Sequence, residues 1–412
     1  MPSTLLADPA QRFACKDCPA RCCRLPARVV VLPDEQMRLQ ALPWVQDRLS
    51  ALGASFVPRN GQWCMPVVEA ERLPQCAFLD PDGLCSIHKR EGVEATPLTC
   101  RTFPFGFIQE PGGLRPYLSH LCPSIRDNTG DLLTPQWESK LAFLPPPFPL
   151  APRMGVGLHA LDTPALLRWG GQAATLLRSA PSLASGLEQL AGWTSSIAVL
   201  EASAAVQPGS WPAPPTPRPS VSAPAAEWPG SLRLLLGLLL LPLGHPMRLH
   251  MRLHGTGRLR LYAGAAAFIR RFRRFSGSVD LMFTPGPALL EEAAAIPAPA
   301  AGTPEHSRIT DFTAGLLDRR SLFLKESSLE QAVFRLALAA SLVSWFARLH
   351  AAARSPGAPG VVTRADVGEG LSACEYVLTY HGCMLDSHPA GRALVQFLAA
   401  YPPAFQRLLQ AI

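Results

Sequence analysis

The stretch CKDCPARCC, residues 15–23, places four cysteines within nine residues and ends on an adjacent pair. Cys15, Cys18 and Cys22 follow a C-x2-C-x3-C spacing, in which one turn of backbone can arrange three sulfurs around a single centre. Zinc and iron centres bind thiolate sulfur in tetrahedral arrays, at about 2.3 Å for zinc. The stretch therefore predicts a fold organised around metal ligands.

Other cysteines extend this pattern along the chain. Cys76 and Cys85 flank AFLDPDGL, in which Asp-Pro-Asp-Gly predicts the turn of a hairpin that presents two thiols. Cys100 precedes RTFPF, and Cys122 lies in YLSHLCPSI. The N-terminus shows no secretory signal sequence, so we expect a cytoplasmic protein whose clustered thiols bind metal instead of forming disulfides.

The spacing leaves the identity of the metal open. It differs from the radical S-adenosylmethionine order C-x3-C-x2-C and from the ferredoxin run, and the Cys85-Ser-Ile-His88 segment has no C-x-H partner that would complete a Rieske site. Zinc and an iron–sulfur cluster such as 4Fe-4S both remain compatible with the residues.

Taken together, these segments resemble the CxxCxxCC family, the YkgJ-type cysteine cluster group described as zinc- or iron-chelating. The resemblance covers about residues 13–125 and includes CAFLDPDGLCSIHKR, TPLTCRTFPF and LSHLCPS. Cys64 is an additional cysteine, and the segment before Cys100 is longer than the commoner form. The metal ligands that the resemblance implies are Cys15, Cys18, Cys22, Cys23, Cys76, Cys85, Cys100 and Cys122.

The longer segment before Cys100 and a mainly helical remainder are more similar to one branch, flagellin lysine N-methylase. Residues 176–193 and 365–382 look like helical segments of that branch. The resemblance implies a metal-bearing, methylase-like protein that transfers methyl from S-adenosylmethionine to a lysine of a protein substrate, flagellin-like or other. The alternative is a non-enzymatic module in which zinc stabilises the fold and the helical body binds a partner protein.

Two residue-level expectations accompany this interpretation. Arg101, next to a ligand cysteine, can donate to thiolates or cluster sulfides and offset their negative charge, so we assign it to cofactor binding. The only Gly-rich segment that could suggest a Rossmann methyltransferase, HGTGRL (254–259), is interpreted as a turn. Catalytic residues therefore cannot be named from the sequence.

The adjacent pair Cys22 and Cys23 carries its own prediction. Neighbouring α-carbons lie about 3.8 Å apart, and their side chains diverge in an extended chain. We therefore expect the two thiols to serve different roles: either two four-thiolate sites share the segment, or one ligand stands beside a free or packed thiol.

For the whole chain we expect an α+β fold, with a small cysteine-rich metal-binding domain packed on a mainly α-helical body. The expected divisions are a cysteine-cluster domain over 1–150, a helical segment over 151–206, a Pro-rich linker or insertion over 207–230 and a helical domain over 231–412. The apolar runs at 232–244 and 332–347 contain an arginine each and are short, so we expect buried core helices and no membrane span.

The net charge of +7 comes almost entirely from arginine, since the chain has only four lysines. An arginine-biased composition explains such a balance, and no nucleic-acid-binding signature accompanies it. We therefore expect the arginine-rich segments 247–262 and 270–275 to be solvated faces, with no nucleic-acid partner.

Overall fold

Short strands and short helices alternate in the first third of the chain, and long helices dominate the remainder. This mixture of helix and strand is compatible with the predicted α+β class. The computed structural model describes residues 4–15, 20–24, 29–59, 62–70, 73–137, 141, 147–150, 153–156, 159–202, 213–218, 233, 237–238, 240–244, 258–320, 328–358, 360–380 and 402–409.

The strands are short and form small separate sheets. They are β1 (Arg12–Phe13), β2 (Val30–Val31), β3 (Val57–Arg59), β4 (Gln62–Cys64), β5 (Val67–Ala70), β6 (Leu73–Cys76), β7 (Phe105–Glu110), β8 (Gly113–Leu118), β9 (Asp131–Leu132), β10 (Phe148–Pro149), β11 (Arg153–Val156), β12 (His159–Asp162), β13 (Ser278–Val279) and β14 (Ala288–Leu289). The sheet orders are β1-β9, β10-β7-β8, β11-β12, β13-β14, β2-β4-β3 and β5-β6, and all pairs are antiparallel except β10 with β7.

The longest helices all lie after residue 160. They are α1 (Pro33–Gln40), α2 (Pro43–Leu52), α3 (Ser86–Glu91), α4 (Leu98–Thr102), α5 (Pro123–Asp127), α6 (Thr163–Ser179), α7 (Leu183–Ala202), α8 (Arg258–Arg274), α9 (Leu290–Ala295), α10 (Pro304–Asp318), α11 (Leu329–Arg354), α12 (Arg364–Glu375) and α13 (Pro402–Leu409). Short 3-10 turns at Arg21–Arg24, Val93–Ala95, Thr134–Gln136 and Leu241–Leu243 connect them.

Two small apolar cores support the cysteine-rich part, and one large core supports the helical part. The first small core surrounds Phe78, which is fully buried, and the second surrounds Phe105. The large core contains Trp169 and Trp345, neither of which is exposed to solvent. The arrangement matches a small unit with little apolar area beside a helical body with a full core.

Helix α11 forms the centre of the helical body. It is the one helix among the described residues with the length and hydropathy of a membrane span, and that apolar window is completely buried in the protein. The predicted buried helix over 332–347 is therefore confirmed, and its burial agrees with the expectation of no membrane span. The described residues of 232–244 are also largely buried, with a 3-10 turn at Leu241–Leu243.

Two helix starts in the helical part follow from local capping residues. The Asp162 carboxylate accepts a hydrogen bond from the Ala165 amide at 2.9 Å at the start of α6, and Pro164 occupies the first turn. Thr363 and Asp366 form a reciprocal capping box at the start of α12. Of the Pro-rich stretch 207–230, only residues 213–218 are described, and the backbone of Arg218 hydrogen-bonds the Gln189 side chain on α7.

Ion pairs join the cysteine-rich part to α12. Glu369 accepts hydrogen bonds from Arg21 at 2.6 Å and from Arg126 at 3.2 Å. Glu375 is buried and accepts the His120 backbone amide at 2.8 Å. A single helix of the body thus binds both the cysteine-bearing turn and the segment that follows β8.

A second buried carboxylate, Asp366, links the end of α11 to the start of α12. Its oxygens accept hydrogen bonds from the Thr363 amide at 2.7 Å and from Arg354 at 3.0 Å, and the Nδ1 atom of His350 lies 2.6 Å away. Burial alone would raise the pKa of Asp366, but the hydrogen bonds from His350, Arg354 and Thr363 outweigh it and hold the pKa well below its usual range.

We therefore expect Asp366→Asn to lower the free energy of unfolding by about 2–3 kcal/mol at neutral pH, because it removes the charge that these donors face. The contribution of a carboxyl with a lowered pKa is fully present above its unfolded pKa of about 4 and is lost as the pH falls through the folded value. Urea unfolding across this range should show the difference between wild type and variant shrinking below about pH 4. The control is Asp311→Asn, whose side chain is 69% exposed. Equal effects of the two substitutions would contradict the assignment.

Candidate metal centre

The thiol of Cys22 is presented by the 3-10 turn Arg21–Arg24. The backbone amides of Cys23 and Arg24 both donate to the Ala20 carbonyl, at 3.0 and 3.2 Å. The turn packs against β6, and Arg21 extends away from it to the Glu369 carboxylate and across the Phe283 ring at 4.8 Å. The turn is therefore fixed on one side by a strand and on the other by the helical body.

Cys76 and Cys85 are held by the two ends of one loop. Cys76 ends β6, where it lies opposite Val67 of β5, and Cys85 is the residue before α3. The predicted Asp-Pro-Asp-Gly turn is present, with the Gly83 amide donating to the Asp80 carbonyl at 2.9 Å. The predicted hairpin is reduced to one bridge between Leu79 and Cys85, because the chain enters a helix at Ser86.

Arg48 on α2 holds this loop in shape. Its guanidinium donates to the Ala77 carbonyl at 2.7 Å, to the Leu79 carbonyl at 3.0 Å and to the Asp80 carboxylate at 2.8 Å. Burial raises the pKa of Cys76, and the same positive charge on Arg48 offsets a small part of that rise. The role of Arg48 is not evident from the sequence, because Arg48 lies 28 residues before Cys76 and no motif connects the two.

Cys100 is positioned by a buried carboxylate. It lies in the short helix α4, and Glu35 of α1, only 3% exposed, accepts the Leu98 amide at 2.8 Å at the start of that helix. The other Glu35 oxygen accepts the Leu32 amide at 3.0 Å. Glu35 therefore fixes α4 relative to α1, a role that an isolated acidic residue in the sequence does not reveal.

These elements bring four of the predicted ligands within range of one another's charge: Cys22, Cys76, Cys85 and Cys100. Burial, with smaller contributions from negative charge on Cys85 and Cys22, raises the pKa of Cys76 to about 12. Burial also raises the pKa of Cys85 and of Cys100, and Cys22 acts on both as a like charge. Cys100 is an exposed residue, although enough protein surrounds its thiol for desolvation to raise the pKa. One side of this group of four thiols therefore reaches solvent.

Such a group has the donor chemistry of a metal centre. Thiols whose ionised forms would repel one another in a poorly solvated environment stay protonated unless a cation supplies the compensating charge. Zn²⁺ or an iron–sulfur cluster does this while it coordinates sulfur. In the described part of the chain, no three Cys, His, Asp or Glu side chains already stand at the mutual distances of a metal-ligand set. The thiols have the donor chemistry of such a centre, and ligation would have to draw them closer together.

Cys23 stands beside this group. Its sulfur lies 4.0 Å from that of Cys22, and this contact is the largest cause that raises the pKa of Cys22. A negative charge on Cys22 raises the pKa of Cys76, of Cys85 and of Cys100. The expectation that the two adjacent thiols serve different roles stays a prediction.

Two other predicted ligands lie on neighbouring segments. Cys122 is buried in the small core that contains Phe105, and Cys15 is exposed. The Ala14 amide donates to the Ser124 hydroxyl at 2.8 Å, which joins the segments that carry these two cysteines. Cys18 lies outside the described residues. Both forms of the prediction, one site or two, remain open.

Arg101 contacts carboxylates in the structure. Its guanidinium lies 3.5 Å from Glu35 and 3.2 Å from Glu94. Its expected role toward thiolates or sulfides therefore stays a prediction, while its observed contacts place it beside the carboxylate that fixes α4. The remaining described cysteines belong to the packing: Cys64 is buried at the end of β4, and Cys374 is buried in the helical core.

No family model, curated protein or solved structure matches the chain in the comparisons that were made.

The role of Glu35 can be tested against that of Glu94, since both carboxylates contact Arg101. We expect Glu35→Ala to lower the free energy of unfolding by about 1–3 kcal/mol, because the Leu32 and Leu98 amides lose their acceptor in a buried position. Glu94, 64% exposed, contributes less, and Glu94→Ala should change stability by less than about 0.5 kcal/mol. Urea unfolding of both variants provides the measurement, and losses of the same size would refute this role of Glu35.

Proposed function

We propose that the chain is a metal-binding cysteine-cluster protein whose centre is held by Cys22, Cys76, Cys85 and Cys100. The observation that supports this proposal is the position of these thiols, which come from separate segments and lie close enough that ionisation of one raises the pKa of others. Cys15, Cys18, Cys23 and Cys122 are the further ligands that the resemblance to the CxxCxxCC family implies.

We infer an iron–sulfur centre as the first choice and zinc as the second. When bound, zinc supplies a structural cross-link, and an iron–sulfur cluster supplies a cross-link with redox capacity. In either case the residues of this chain hold the thiols in position: Arg48 shapes the loop between Cys76 and Cys85, and Glu35 fixes the helix of Cys100.

The finer proposal concerns catalysis. On the resemblance to flagellin lysine N-methylase, the chain would transfer methyl from S-adenosylmethionine to a lysine of a protein substrate. In that reaction the neutral lysine amine forms the new N–CH₃ bond as the S–CH₃ bond of the sulfonium breaks, and the amine loses a proton. The reaction needs the lysine amine held in line with the methyl group. The proposal gives no further residue of this chain a role in that step.

A second candidate is a zinc-stabilised protein-interaction module without catalysis. It is favoured by the contact between Arg21 and Glu369, which joins the cysteine-bearing turn directly to the helical body. In this case the metal would hold the two parts of the fold together, and the helical body would carry the binding surface.

Metal content of serine variants tests the centre. After anaerobic purification, we expect Cys22→Ser and Cys76→Ser to lose most of the bound metal, because each removes one of four thiolates. Cys23→Ser should retain the metal of the four-thiol group. Cys374→Ser is the matched control, since Cys374 is a buried thiol of the helical core. Iron, sulfide and zinc analysis gives the readout, and full metal retention in Cys22→Ser and Cys76→Ser would overturn the ligand assignment.

Binding of S-adenosylmethionine separates the two candidate functions. Calorimetry on the metal-replete full-length chain should show one site with a dissociation constant between about 1 µM and 1 mM, the usual range for enzyme substrates. The absence of binding, with metal content intact, would reject the methylase proposal and favour the interaction module.

A further inference from the structure

The positive charge of the chain is concentrated in one stretch. Residues 228–279 contain nine arginines and no aspartate or glutamate. The rest of the chain carries 29 basic and 31 acidic side chains, so the entire net charge of +7 arises here. A composition biased toward arginine would distribute the excess along the chain and does not explain this concentration.

Helix α8 is the main described part of that stretch, and it has two distinct faces. Phe268 and Phe272 are buried in the large core. The opposite face is exposed and ends in four arginines, all open to solvent: Arg270, Arg271, Arg273 and Arg274. Ala263, Ala266 and Ala267 precede them, also exposed.

These four arginines have no carboxylate partner among the described residues. Arg271 donates to the Ser278 backbone carbonyl at 2.7 Å, a contact that leaves its charge uncompensated. The C-terminus of a helix carries about half a negative charge, which favours a cation there but cannot balance four. The cluster therefore produces a local excess of positive charge at the surface.

The geometry of the helix spreads these charges around its exposed side. Successive residues advance by about 100°, so Arg271 and Arg273 lie about 160° apart, with Arg270 and Arg274 between them. The alanines lie on the same side of the helix one to two turns earlier, and their small side chains keep that side of the helix narrow. The exposed side is thus a slim surface with arginines on both flanks.

We propose that this face of α8 binds the phosphate backbones of double-stranded DNA without reading its sequence. The major groove, about 12 Å wide, admits a helix between two phosphate strands, and arginine is well suited to bidentate phosphate contacts. The alanines offer few groups that could read base edges, so the binding depends on charge.

Two other anionic partners fit these observations less well. A protein partner would need apolar anchors, and the described side chains of the exposed face offer only small residues between the arginines. A flat anionic membrane would reach only part of a charge distribution that spans about 160° of a helix. The proposal is independent of the metal centre, and it departs from the expectation that these arginines are only a solvated face.

The test uses fluorescence anisotropy with a labelled DNA duplex of mixed sequence and the full-length chain. At physiological salt we expect a dissociation constant of about 10⁻⁴–10⁻⁶ M that is the same for unrelated sequences, and binding should tighten steeply as the salt is lowered to about 50 mM. The variant R270Q/R271Q/R273Q/R274Q should bind at least about tenfold more weakly and show a reduced salt slope.

The matched control, R12Q/R38Q/R90Q/R364Q, removes the same charge from arginines that are exposed elsewhere. It should bind DNA within about twofold of wild type, and circular dichroism verifies that both variants are folded. Equal weakening by both variants, or no binding by wild type, would overturn the proposal. Tighter binding to poly-glutamate or to anionic lipid vesicles than to the duplex would overturn it as well.

Discussion

Four thiols separated by up to 78 residues in the sequence, Cys22, Cys76, Cys85 and Cys100, lie close enough that ionisation of one raises the pKa of others. In a poorly solvated environment this repulsion keeps the group neutral until a cation compensates it. Polar contacts in the cysteine-rich part position the segments that carry Cys22, Cys76, Cys85 and Cys100. The elements that position them are a single turn, a four-residue strand, the residue before a six-residue helix and a five-residue helix.

Elements this short cannot hold such a group by apolar packing alone, and polar contacts position them. Arg48 shapes the loop of Cys76 and Cys85, Glu35 fixes the helix of Cys100, and Arg21 joins the turn of Cys22 to Glu369. The last contact extends to the helical body, where Glu369 also accepts Arg126. The cysteine-bearing turn is therefore joined directly to α12.

Features determined by local sequence could be predicted, and features that depend on distant partners could not. The starts of α6 and α12 follow from capping residues within four positions, and α11 follows from its apolar run. The pairing of β6 with β5 involves a partner that the Cys76–Cys85 spacing does not reveal. Arg101 contacts Glu35, 66 residues earlier, and a sequence pattern around Cys100 contains no information about that partner.

The central claim is that four thiols bind one metal centre. X-ray absorption at the metal edge of the anaerobically purified full-length chain tests it most directly, because it reports the ligand atoms themselves. We expect a first shell dominated by sulfur, at about 2.3 Å for zinc. A shell dominated by nitrogen or oxygen, or a purified chain without bound metal, would contradict the claim.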